Sequence, residues 1–397
     1  MFLFDNFGQL EFPDGIQKVE KNQFRNFLMR EITIPSTVTS IGPNSFEGCP
    51  YLEKLNLPLS LIDIQKFAFQ NCSSLTELEI PSNVKSIGEC SFKDCIKLEK
   101  IEMDPYQTNV QENSFDNCSS LEHFIINTSH TKIVPMKNNF VKSIKKISIP
   151  KGVKSIGSHA FCDYKILTQI TIPSTVTSIE NSAFRRCSSL KTIEIPSSVK
   201  SINEYAFDGC IKLKEITIPS SVILIGCNAF SDCESLEKIV IPDLICMIEI
   251  CTFYHCSSLK YVQISNNVNE IREFAFAECS SLTEIEIPSN VKLIGECTFK
   301  NCEKLAKIEM DIYQTKVQAN TFDNCKSLEQ LDIKTSSRKI GCEQNGLIKM
   351  VKKITIPHGI ETIESNAFSE NTSLKEIIIP QSVYSIGSNV FKGCTSL

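Results

Sequence analysis

The chain has 397 residues, 42% hydrophobic and 22% charged, with a formal net charge of −5 at pH 7. A disordered chain would carry fewer apolar residues and more charge, so a folded protein is expected. No uncharged apolar run reaches 18 residues, which excludes a transmembrane helix from the reading, and mild acidity spread along the chain leaves no footprint for nucleic acid.

The N-terminal run Met1-Phe2-Leu3-Phe4-Asp5-Asn6-Phe7 turns polar after four positions. With no basic n-region and no apolar h-region, no standard secretory signal is expected. Residues 1–28 read as a partial or capping repeat. Residues 29–397 read as a continuous array of about sixteen units of 23 residues.

Three columns define the array. Ile-Pro recurs from Ile34-Pro35 to Ile379-Pro380 at multiples of 23, with Pro at 11 of 16 positions. Phe holds 14 of 16 positions from Phe46 to Phe391, missing only at Asn138 and Asn345. Cys holds 12 of 16 from Cys49 to Cys394.

In the unit that begins at Leu190, residues 190–195 alternate as a half-buried strand should, and Pro196 ends it by removing a donor. Val199 and Ile202 predict a second short extended piece, often closed by glycine, as at Gly88, Gly157, Gly226 and Gly295. Ala206-Phe207-Asp208-Gly209-Cys210 is too short for a regular helix, so one helical or 3-10 turn is expected, with Phe and Cys inward. A lone unit cannot bury these side chains, each contributing roughly 1.5–3 kcal/mol on burial, but stacked neighbours can. Parallel strands about 4.8 Å apart would give a solenoid on the order of 75 Å long.

The unit L-x-x-I-x-I-P-x-x-V-x-x-I-G-x-x-A-F-x-x-C resembles the leucine-rich repeat of BspA-like proteins, which are surface antigens of bacteria and occur in large sets in parasitic protists. Leu213 to Val222, followed by Ile225-Gly226 and Ala229-Phe230 with Cys233, matches it almost position by position. The resemblance implies a leucine-rich-repeat solenoid: a right-handed superhelix with a parallel β-sheet on one face and short strands and single helical or 3-10 turns on the other. It implies adhesion, or binding of host or matrix protein.

A longer period overlies the short one. Residues 67–149 return as 274–356, an offset of 207, with Glu102-Met103-Asp104 answered by Glu309-Met310-Asp311. Whole-block duplication by array growth accounts for this, and two equivalent binding sites are the functional alternative. The irregular units 127–149 and 334–356 lack the strand-ending Pro and carry Lys142, Lys145 and Lys146, or Lys349, Lys352 and Lys353. They read as kinks, looser surface or paired interaction points. The chain stops at Leu397 as a further strand is due, so either a truncated chain or an open edge covered by a partner is expected.

Signals for chemistry are missing. Neither phosphate-binding glycine motif occurs, and the glycines are assigned to turns. His123, His130, His159, His255 and His358 read as surface or loop residues with no carboxylate pattern nearby. Spacings such as Cys90/Cys95 are not those of zinc sites. The cysteine column reads as packing, because equivalent residues in stacked strands lie too far apart and too parallel for disulfides. The sequons at Asn71, Asn117, Asn127 and Asn371 are weak. No catalytic residue, cofactor, metal or small-molecule substrate is expected.

If the alternate residues of each strand face solvent, the exposed sheet face carries 11 acidic and 6 basic residues. Cross-strand charge pairs explain most of that strip. Val240 and Tyr261, flanked by Lys238 and Gln263, stand out as a protein-docking candidate. The favoured function is a non-enzymatic protein-binding scaffold of the surface-antigen type. The alternatives are an intracellular scaffold or a substrate-recognition regulator of an associated enzyme. Resemblance points to the cell surface, whereas the missing signal and free thiols point to the cytoplasm.

Overall fold

The computed structural model describes residues 3–4, 10–137, 139–342 and 346–397. Asn138 and Asn345, the breaks in the phenylalanine column, lie outside the described residues. The chain divides into two compact units, Met1–Lys154 with Tyr164–Thr175, and Ser155–Asp163 with Val176–Leu397. Each is a parallel β-solenoid with almost no helix.

The repeat beginning at Leu190 shows why the sequence folds this way. Its front strand is Thr192–Glu194, with Ile193 inward and its two neighbours exposed. Pro196 cannot extend the ladder, and its carbonyl accepts the N–H of Val199 at 3.0 Å, closing a turn. Ser201–Ile202 is the back strand, with Ile202 fully buried.

The third side refines the sequence expectation. Where one helical or 3-10 turn was expected after Ile202, the backbone forms successive tight turns closed by hydrogen bonds of the 3-10 type. The N–H groups of Ala206, Asp208 and Cys210 donate to carbonyls three residues back, at 3.1–3.2 Å. Those of Tyr205, Phe207 and Gly209 donate instead to Cys227, Ala229 and Ser231 of the next repeat, at 2.8–3.0 Å. This alternation requires left-handed backbone at Tyr205 (φ 56°) and Gly209 (φ 72°). The turns thus form a third inter-repeat ladder, and their backbone donors are satisfied without helix. Among the described residues, regular 3-10 helix is confined to Asn139–Ser143 and Leu347–Met350, in the irregular repeats.

The glycines after the back strands also have a different cause. They are not in left-handed turns. A Cβ on Gly226 would lie 2.6 Å from the Glu204 nitrogen of the preceding repeat, so close stacking of backbones selects glycine.

In the first unit, Glu31–Thr33 pairs with Lys54–Asn56, and a five-stranded front sheet runs from Glu77–Glu79 to Gln169–Thr171. Its back sheet runs from Lys18–Val19 to Asn109–Val110. Lys18–Val19 joins Ser40–Ile41 in a 22-residue step, and Phe24 stacks on Phe46, so residues 18–28 already form a turn of the solenoid. Leu3–Phe4 and Leu10–Glu11 pair antiparallel ahead of it.

In the second unit, the front strands pair as Thr192–Glu194 with Glu215–Thr217 and Lys238–Val240 with Tyr261–Gln263. Five more pair continuously from Glu284–Glu286 to Glu376–Ile378.

Both cores are ring stacks. Phe24, Phe46, Phe69, Phe92 and Phe115 lie 5.0–5.4 Å apart and within 12° of parallel. In the second unit the stack from Phe161 to Phe322 holds 5.3–5.7 Å. The solenoid's rise fixes this spacing, and it lies within the favourable range for offset rings. Beneath most of the rings lies a cysteine, fully buried at Cys49, Cys72, Cys95, Cys187, Cys210, Cys233, Cys256, Cys279 and Cys302. Its thiol donates to a phenylalanine carbonyl of the preceding repeat, as Cys210 Sγ does to Phe184 O at 3.3 Å.

Candidate functional site

The front-strand register brings the four singled-out residues together. Lys238 lies directly opposite Tyr261, and Val240 opposite Gln263. The alternating pattern that turns Ile239 and Val262 inward leaves Val240 40% and Tyr261 47% exposed. The Lys238 ammonium stands 4.9 Å from the Tyr261 ring centroid, a cation–π arrangement, and the Tyr261 hydroxyl donates to Gln263 Oε1 at 3.3 Å. These contacts hold the Tyr261 ring in place on the exposed face that also carries Val240.

The two strands form an isolated ladder, unpaired in the front sheet with Glu215–Thr217 on one side and Glu284–Glu286 on the other. A cleft of about 540 Å³ opens along the second gap. Tyr261, Gln263, Glu284, Glu286, Lys307 and Glu309 are among its lining residues. Tyr261 and Gln263 therefore line a cleft, while Lys238 and Val240 flank it.

Much of the remaining face is paired charge. Lys54 meets Glu31 at 2.7 Å and Lys353 meets Glu376 at 3.2 Å, each straight across a strand pair. Lys307 meets Asp332 at 2.8 Å, and that hydrogen bond raises the lysine above its ordinary range. The expectation of cross-strand charge pairs describes these rows.

Sequence reasoning missed a second feature, on the turn side of the second unit. Arg185 binds Asp208 at 2.7 Å and lies 5.4 Å from the Tyr205 ring centroid. With Asp232, Tyr254 and Phe274 they border a cavity of about 490 Å³. His255 Nδ1 is 2.7 Å from Asp232 Oδ1, which corrects the expectation that no carboxylate serves the histidines. His123 is likewise a front-strand residue, not a loop one. Its Nε2 is 2.8 Å from Ser148 Oγ, and burial, then Lys100 and Lys146, depress its pKa. The available signal was columnar: His255 and Asp232 are both at the left-handed position of the turn ladder, one repeat apart.

Among the described residues, no group of three or more His, Cys, Asp or Glu is placed to hold a metal ion. No helix among the described residues is long and apolar enough to cross a membrane. Asn371 is fully buried, giving its amide to Ile348 O at 2.6 Å, so this sequon lies inside the core.

The BspA-type leucine-rich repeat region matches the chain in overlapping stretches, residues 1–122, 62–191, 137–251, 177–292 and 269–397. The chain belongs to the BspA-type leucine-rich repeat family. Among solved structures, this BspA-type array is similar to a leucine-rich repeat protein from Bacteroides ovatus, at 26% identity. That match covers 100% of this chain and 91% of the other, with a TM-score of 0.47. A leucine-rich cell surface protein from Faecalibacterium prausnitzii is 23% identical over 84% of this chain and 93% of its own, with a TM-score of 0.37. The pneumococcal vaccine antigen PcpA is 18% identical over 92% and 85%, with a TM-score of 0.35. A comparison with curated proteins returns no match.

Proposed function

We propose that this BspA-type array is a non-enzymatic scaffold that docks a protein partner on its front sheet, around Lys238, Val240, Tyr261 and Gln263. Adhesion to host or matrix protein is the role that the family membership favours. The observation that carries the reading is the exposed Val240–Tyr261 pair, rimmed by polar groups on an isolated two-stranded ladder beside an open cleft. An aromatic anchor with an aliphatic neighbour and a polar rim has the composition of an interface hot spot.

Docking would bury both side chains and desolvate the Lys238–Tyr261 pair, which strengthens a cation–π contact. The double variant Tyr261→Ala with Val240→Ser removes both apolar groups from exposed positions and leaves the fold intact. It is expected to weaken partner binding at least ~10-fold, since hot-spot side chains contribute about 2 kcal/mol or more each. Unchanged affinity in a surface-binding assay against the partner would remove the patch from the function.

A further inference from the structure

The stretches related by the 207-residue offset each border a cleft on the front sheet. In the first unit it measures about 440 Å³ and separates Lys54–Asn56 from Glu77–Glu79, strands that share no ladder. In the second it is the cleft between Tyr261–Gln263 and Glu284–Glu286. Glu79, Lys100 and Glu102 line the first, and their counterparts Glu286, Lys307 and Glu309 line the second.

What differs is the cation. In the second unit Lys334 reaches back over two repeats and sets its ammonium against Glu286 and 3.3 Å from Glu309. Burial alone would depress this lysine, but hydrogen bonds to the two carboxylates outweigh it and raise the pKa. The counterpart of Lys334 in the first unit is Asn127, a neutral amide that gives one hydrogen bond to Glu102 Oε1 at 3.0 Å. Lys100 does not replace the missing charge between the two carboxylates, because its ammonium is drawn to Glu77 at 3.2 Å. Burial, and then the nearby charge of Glu79, raise the Glu102 carboxyl, and Lys100 and Asn127 offset this only in part.

We infer that the cleft at Glu79 and Glu102 receives a lysine side chain from a basic segment of a partner protein, in the place that the chain's own Lys334 fills at Glu286 and Glu309. The occupant is read from the second unit, where the same two carboxylates hold a primary ammonium. Two carboxylates fall short of the three or more donors that would mark a metal site, which favours an ammonium over a divalent cation. The site shares no residue with the Val240–Tyr261 patch, so either can fail without the other.

The test is binding of fluorescein-labelled hexalysine to the full chain at low salt, followed by anisotropy, with the fully acetylated peptide as blank. Asn127→Lys supplies the missing ammonium internally and is expected to weaken binding at least tenfold. Lys334→Asn releases Glu286 and Glu309 at the second cleft and is expected to raise the stoichiometry from one to two. Thr217→Lys, an exposed front-strand position in the second unit, adds the same charge elsewhere and is expected to change affinity less than twofold. Glu79→Gln with Glu102→Gln repeats the loss of binding by a second route, should Asn127→Lys fail to fold. Equal weakening by Asn127→Lys and Thr217→Lys would reduce the effect to general charge and overturn the inference. Displacement of the peptide by micromolar calcium would overturn it in favour of a metal.

Discussion

At Cys210, Cys233, Cys256, Cys279 and Cys302 the thiol is buried, and burial pushes its pKa up. Cys325 is raised to about 12 by the same cause. A thiol whose folded pKa exceeds its unfolded value stabilises the protein fully below about pH 9 and loses that contribution as pH rises toward 12. Thermal midpoints are therefore expected to fall between about pH 9 and 12, and buried thiols are expected to resist alkylation at pH 8. Cys246 and Cys342, which are exposed, should react first under native conditions, as mass spectrometry of iodoacetamide-treated protein would show. Rapid labelling of Cys256 in the native protein would contradict this. The packing role of the column was legible from its periodicity. Its hydrogen bond was not, because the acceptor of Cys256 is the Phe230 carbonyl, 26 residues away, and only the stacking brings them together.

At the scale of the element, the front strands were legible because alternation has a period of two, and Pro marks where each stops. The turn ladder was not. Ala-Phe-x-x-Cys fits a helical turn equally well by sequence, and the outcome was decided by the adjacent repeat, whose carbonyls take every second N–H. Left-handed residues such as Tyr205 and Phe274 carry no sequence signal of that conformation, since Asn and Gly dominate such positions elsewhere. The Gly226 position follows from the same close approach. Gly226→Ala forces a Cβ to 2.6 Å from backbone of the preceding repeat and should cost about 1 kcal/mol, because other repeats carry Asn203 or Glu249 in this column and their neighbours give way. Urea denaturation measures it, and an unchanged midpoint would show that glycine is incidental there. In the repeats that precede the irregular ones, Asp104 and Asp311 stand where Pro does elsewhere. Each is buried and caps a turn, accepting the N–H of Tyr106 at 2.9 Å and of Tyr313 at 3.0 Å. Their tyrosine hydroxyls then bind backbone carbonyls 28 residues on, Val134 and Gly341.

On the scale of the whole chain, identical core columns and variable exposed positions separate fold from recognition. Repetition made the fold legible, since a column written many times is hard to misread. The front-face patch we propose was singled out only as an exception to the charge pattern, at Val240 and Tyr261. The missing cation at Glu79 and Glu102 was not, because Lys334 and its target Glu286 lie 48 residues apart and meet only in the folded stack. The account rests on each repeat being one interchangeable turn held by its neighbours. Removing residues 199–221 tests this most directly, because Ile195-Pro196-Ser197-Ser198 then runs into Val222 with the local sequence unchanged. The shortened protein is expected to keep its strand signal per residue in circular dichroism and to melt cooperatively, whereas removing residues 199–218, which breaks the period, should not. Loss of the folded state on the 23-residue deletion, or equal tolerance of both deletions, would contradict the account.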